Sequence, residues 1–294
     1  MRVVVVSEVE PDRRNEAGVA LREAKTIRQS LLADDALDGL TFTVNRTQWL
    51  SGDDASTTPR HHHAFQQIRW SESGRVNYAP DQYILEGDIG YFPRGAWYGP
   101  QVRDEGVSVT FQFGFNGEKQ HGSAFWDRYQ AAALERLRSN GRFEGGRYFN
   151  VDPATGQPRE RDSVDALYAE QYEMHTGQKF TVPAEGYDAP ILMHPRAFEY
   201  YQVDDGVEIK HLGNFFDHSG WNADVGFSLV RLSGGRYSCG ADRAQVVWTP
   251  SPGLCVDGTT YPENTYVYSP RDEETELTSS ATVELYAVRF PRLD

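Results

Sequence analysis

The sequence predicts a mainly β protein: two antiparallel β-barrels with an N-terminal helix and helical connecting segments. Three observations predict it. Runs rich in β-branched and aromatic residues, punctuated by Gly, Pro, Asp and Ser, fill two separate stretches, from Leu40 to Gly114 and from Tyr187 to Phe290. The stretch between them has helical texture. The two β-rich stretches also resemble one another, weakly but in the same order along the chain.

In chain order, "MRVVVVSEVEPDRR" is a short apolar run followed at once by acids. It lacks the basic opening and the length of a signal peptide. Within Asn15 to Asp35, Val19, Ala20, Ile27, Leu31 and Leu32 fall at roughly helical spacing, which predicts one amphipathic helix. "FTVNRTQWL", "HAFQQIRW", "GRVNYA", "DIGYFP" and "VSVTFQFGF" then read as a meander of strands. Helices follow in "SAFWDRYQAAALERLRSNG" and "DSVDALYAEQYEMHTG", ending at Asn140-Gly141 and at Gly177, where glycine suits a C-cap. A polar connection, "EGGRYFNVDPATGQPRERD", lies between them. The expected division is therefore 1–120 for the helix and first barrel, 121–186 for a helical linker region, and 187–294 for the second barrel.

The internal likeness places "QQIRWSESGRV" over "AQVVWTPSPGL", so that Gln67 matches Gln245 and Trp70 matches Trp248. Further on, Pro93 matches Pro270 and Arg94 matches Arg271.

Composition narrows the function. Aromatic residues make up 13% of the chain, too many for a disordered protein. A net charge of −14 argues against nucleic acid, which demands clustered Lys and Arg. No apolar stretch approaches membrane-spanning length, so the expectation is a cytoplasmic protein with no membrane partner. Cys239 and Cys255 are the only cysteines, and neither lies in a C-x-x-C, which leaves no disulfide framework or cysteine-rich zinc site. Glycine pairs in "SGGRYSCG" and "FEGGRYF" lack the context of a phosphate loop, and G-x-S-x-G is absent.

The chemistry concentrates in "PRHHHAFQQIRW", which holds three of the eight histidines. Residues two apart on a strand share a face, so His61 and His63 point together and His62 points away. Gln67 opens the next strand, with Arg69 on its face. Two imidazoles and an amide oxygen converging in a barrel mouth suit a divalent first-row metal, with Fe, Cu, Mn, Ni and Zn all compatible. The alternative is a pair of hydrogen-bonded interior histidines. Arg69 either clamps a carboxylate, phosphate or enolate, or is a strand arginine paired elsewhere. Gln112 and Trp97 are further candidates for the substrate pocket, with core packing the alternative for Trp97.

His61, His63 and Gln67, followed by Gly87 and "PRGAWY" (Pro93 to Tyr98), resemble the two motifs of the cupin superfamily. "TTPRHHHAFQQIRW" with "EGDIGYFPRGAWYGPQ" is similar to a bacterial two-barrel subgroup in which glutamine and tyrosine replace the usual glutamate and last histidine. The resemblance implies a metal held by His61, His63, Gln67 and Tyr98. It also implies catalytic roles for Arg69 and Tyr98, and a small-molecule substrate. In the second block the His61, His63 and Tyr98 positions fall on Cys239, Ala241 and Thr275, so that barrel is expected to be metal-free. The activity expected by analogy with this fold is metal-dependent oxidation, a dioxygenase on a small aromatic or enolisable substrate. A metal-dependent isomerase, lyase or cyclase, and a non-catalytic binding barrel, are the alternatives. A homodimer is the expected oligomer.

Overall fold

The computed structural model describes residues 1–14, 26–37, 40–50, 56–103, 106–115, 122–182, 184, 186–216 and 224–291. The chain divides into two compact units, Pro11–Leu192 and a second made of Met1–Glu10 with Met193–Asp294. Two boundaries thus differ from expectation. The first ten residues belong with the C-terminal barrel, and the region 121–186 is part of the N-terminal unit rather than a separate linker.

In the N-terminal unit the main sheet runs in the spatial order Ile191–Met193, Ile89–Phe92, Gln66–Ala79, Gly106–Phe115, Leu40–Trp49, Thr26–Leu37, Asp12–Arg14. Its register sets Gln67 opposite Phe92 and Gln112, and Arg69 opposite Gly90 and Thr110. Thr43 and Asn45 stand opposite Gln112 and Thr110 in turn. Alternation of side chains therefore gathers Thr43, Asn45, Gln67, Arg69, Thr110 and Gln112 on one polar face. The other face carries Val44, Ile68, Val109 and Phe111, all fully buried.

The C-terminal unit repeats this plan. Its sheet order is Arg2–Val5, Thr265–Ser269, Gln245–Thr249, Thr282–Arg289, Asp224–Ser233, Val207–Phe216, Tyr201–Asp204. Position for position this is the order of the first sheet, which supports the duplication. The two sheets differ in their insides. The strand pairings make Arg69 and Thr110 equivalent to Val247 and Ala287, which face each other across the second sheet. Val247, Ala287, Leu285, Val267 and Val230 sit in one apolar cluster, so hydrophobic side chains fill the second barrel.

The expected N-terminal helix is corrected over its described part. Thr26–Leu37 is a strand paired with Leu40–Trp49, and residues 15–25 lie outside the described residues. Register shifts at Ser30/Leu32 and Asp34/Leu37 interrupt the two-residue alternation. The bulges bring Leu31 and Leu32 both into buried positions and imitate helical spacing.

Both expected helices are present, as α1 (Gly122–Asn140) and α2 (Ser163–Thr176). Gly177 closes α2 in the left-handed conformation at φ 70°, its N–H donating to the Glu173 carbonyl. The polar connection between them is a three-stranded antiparallel sheet of Gly141–Glu144, Arg147–Val151 and Pro158–Asp162. Ala133, Leu134 and Leu137 of α1 pack with Tyr148 and with Ala166 and Leu167 of α2. This insert is a small folded layer with its own core. Among the described residues no helix is long and apolar enough to cross a membrane.

Candidate functional site

The polar face of the N-terminal sheet forms the floor of a groove of about 2120 Å³, and the insert lines its other side. His61, His63, Gln67, Arg69, Trp97 and Gln112 all line it. Tyr98 does not.

The histidine loop is fastened to the 95–99 turn by backbone bonds. His61 and Tyr98 exchange both of theirs (3.0 and 3.1 Å), and the Gly95 N–H donates to the His63 carbonyl (2.8 Å). Gly99, at φ +93°, permits the approach, since a Cβ there would stand 3.1 Å from the Pro59 carbonyl oxygen. The His61 ring, 1% exposed, donates from Nδ1 to the Pro59 carbonyl at 2.8 Å. That bond leaves the lone pair on Nε2. The His63 ring centroid lies 5.0 Å from that of His61, and its Nδ1 lies 3.4 Å from Oδ1 of Asp165 on α2. His62 lines the groove as well, where it stacks on Trp97 at 3.9 Å. Trp97 is 44% exposed, so it belongs to the groove rim and not to the core.

Arg69 organises the wall beside the imidazoles. Its Nε donates to Gln67 Oε1 at 2.8 Å and its Nη2 to the Tyr98 hydroxyl at 3.0 Å. The guanidinium also lies over the Phe92 ring at 4.3 Å and the Tyr98 ring at 4.9 Å. Tyr98, 3% exposed, is packed with Val76, Tyr78, Ile84 and Phe92.

The imidazole pair could hold a divalent ion through Nε2: His61 Nδ1 donates to the Pro59 carbonyl, and His63 Nδ1 has the Asp165 carboxylate 3.4 Å away. Gln67 and Tyr98 do not fit the expected ligand set, because both turn their oxygens to a permanent cation. An ion bound by either oxygen would stand against the Arg69 charge, which repels it. Tyr98, enclosed in the wall, is likewise placed to hold Arg69 and not to touch a substrate. Among the described residues no cluster of three or more His, Cys, Asp or Glu is arranged to hold a metal. The residue that sequence reasoning missed is Asp165. Its only sequence signal is its place in the first turn of a predicted helix.

In the C-terminal barrel, Cys239 stands opposite Thr275 in the ladder, as His61 stands opposite Tyr98 in the first. Burial pushes the Cys239 thiol up from about 9 to about 12. Because the unfolded chain loses this proton first, the group's contribution to stability is whole below pH 9 and is lost as pH rises towards 12. Iodoacetamide at pH 8 is therefore expected to leave Cys239 unlabelled in the folded protein and to alkylate it after denaturation, as peptide mass mapping would show.

No protein-family model matches the chain, and no curated protein does. Solved structures do. A candidate dioxygenase from Nostoc punctiforme aligns with 99% of this chain and 82% of its own, with a TM-score of 0.59 and 9% identity. Oxalate decarboxylase from Bacillus subtilis aligns with 99% of this chain and 76% of its own, with a TM-score of 0.53 and 12% identity. That decarboxylase is described with Mn(II) centres. Identity this low speaks for architecture alone, and the architecture is plain: the chain is folded as a bicupin, two cupin-type barrels in tandem.

Proposed function

We propose that the N-terminal barrel is the active half of a metal-dependent enzyme acting on a small organic anion. The observation that carries this reading is the buried Arg69 guanidinium on a polar barrel face, beside two imidazoles, one bonded through Nδ1 to the Pro59 carbonyl and one with its Nδ1 3.4 Å from the Asp165 carboxylate. His61 and His63 would hold the ion, leaving its remaining positions to water and substrate. Bound there, the ion supplies a Lewis acid and, in a redox-active form, a partner for O₂.

The chain's own residues bind and orient the substrate. Arg69, braced by Gln67 and Tyr98, offers a fixed planar fork to a carboxylate or enolate oxygen. Thr43, Thr110 and Gln112 line the same floor and supply neutral hydrogen-bonding groups. The exposed Trp97 at the rim gives a flat apolar surface next to this polar floor.

Within this reading the finer assignment is a dioxygenase on a small aromatic or enolisable acid. A non-oxidative lyase is favoured by the likeness in fold to oxalate decarboxylase. Oxygen uptake in step with turnover supports the first, and turnover without oxygen supports the second.

Elemental analysis of protein purified without chelator tests the shared core of both. Wild type is expected to carry about one divalent first-row ion per chain, and His63→Ala less than about a tenth of that. Equal metal in the two proteins would remove the site.

A further inference from the structure

α2 begins at Ser163, and Asp162 caps it by accepting from the N–H groups of Val164 (2.9 Å) and Asp165 (3.1 Å). The cap and the buried contacts of Ala166 and Leu167 with the insert core fix the first turn of the helix in place. From that turn Asp165 reaches the histidine loop, Oδ1 lying 3.4 Å from His63 Nδ1. Tyr168 follows three residues later on the same helix face and meets Phe65 edge-on at 6.3 Å. Phe65 in turn stacks on the His63 ring at 4.6 Å with an interplanar angle of 8°. The insert thus holds His63 at its edge directly and at its face through Phe65.

An imidazole free in water favours the proton on Nε2. A carboxylate at Nδ1 reverses that preference, turns the lone pair to Nε2 and fixes the plane of the ring. On His61 the barrel does this itself, through the Pro59 carbonyl. Beside His63 a carboxylate from outside the barrel stands at Nδ1, that of Asp165 on α2.

We propose that Asp165 is a positioning residue for the barrel site. It sets the tautomer and orientation of His63, so that the insert contributes to the barrel site. This rests on His63 serving the reading given above. The chemistry needs no titration of either group, only an acceptor at the proper nitrogen.

The test uses the full chain, metal-free, labelled with ¹⁵N-histidine, with His63 assigned through His63→Gln. Long-range ¹H–¹⁵N spectra of wild type are expected to show His63 protonated at Nδ1 with an unprotonated Nε2. In Asp165→Asn that pattern should be lost, and Asp165→Ser provides the same comparison if the amide variant does not fold. Unchanged His63 signals in a folded variant would overturn the proposal.

Titration with Mn(II) gives the second readout. Asp165→Asn is expected to bind about 10- to 100-fold more weakly than wild type. Asp165→Glu should recover part of the loss, and Tyr168→Phe, which keeps the ring, should bind as wild type does. Equal affinity in wild type and Asp165→Asn would count against the proposal. Absence of Mn(II) binding in wild type would strike at the metal reading, while the spectra would still decide the role of Asp165.

Discussion

Arg69→Met is expected to abolish recognition of the anionic substrate while leaving the metal in place. Methionine matches the arginine stem but has no donors, so the charge-assisted bonds to substrate disappear. Their loss should lower kcat/KM by at least about 100-fold, corresponding to ~2.7 kcal/mol. The variant should also be less stable. Gln67 Oε1 and the Tyr98 hydroxyl lose a buried donor, at about 1–3 kcal/mol each, offset in part because a guanidinium no longer has to be desolvated. Metal content should not fall, because the variant removes the like-charge repulsion between the guanidinium and the ion. Elemental analysis, thermal melting and steady-state kinetics on one preparation would check all three. Loss of metal together with loss of turnover would make Arg69 a structural brace and leave substrate recognition to other groups. Arg69→Lys, which keeps the charge but cannot span both Gln67 and Tyr98, should fall between wild type and Arg69→Met.

The second large effect concerns the other barrel. Leu285→Ala is expected to destabilise the protein by about 2–5 kcal/mol, because Leu285 is fully buried in the apolar filling and its removal leaves a cavity. Gln112→Ala, on the open floor of the first barrel, should cost under about 1 kcal/mol. Denaturant titration of both variants measures the contrast. Similar costs would mean that the first barrel is packed as tightly as the second, which would leave little room for a substrate.

Much of this was legible in the chain because short-range geometry determined it. The parity of Gln67 and Arg69 follows from strand alternation, and both do line one face. The matched Gln67/Gln245 and Trp70/Trp248 pairs foretold two sheets of the same strand order. The glycine at 177 closed a helix where expected. What escaped depended on long-range contacts or on local irregularity. The bulged strand Thr26–Leu37 imitated a helix because its register slips twice. Tyr98 looked like a metal ligand from its place in the motif. Its hydroxyl instead accepts from Arg69, which stands far from it in sequence on Gln66–Ala79. Asp165 was invisible because folding, not spacing, delivers α2 to the histidine loop.

The edge strand Arg2–Val5 bears on how the protein can be made and dissected. It zips onto Thr265–Ser269, a partner far along the chain, so this strand must wait for that later segment before it finds its place. Loop closure over such a span is slow, and until it happens the seam along Thr265–Ser269 stays open to foreign strands. A gene fragment beginning at codon 187 would express a sheet lacking its last stave and prone to clump. Splicing residues 1–10 onto the far end should cure it.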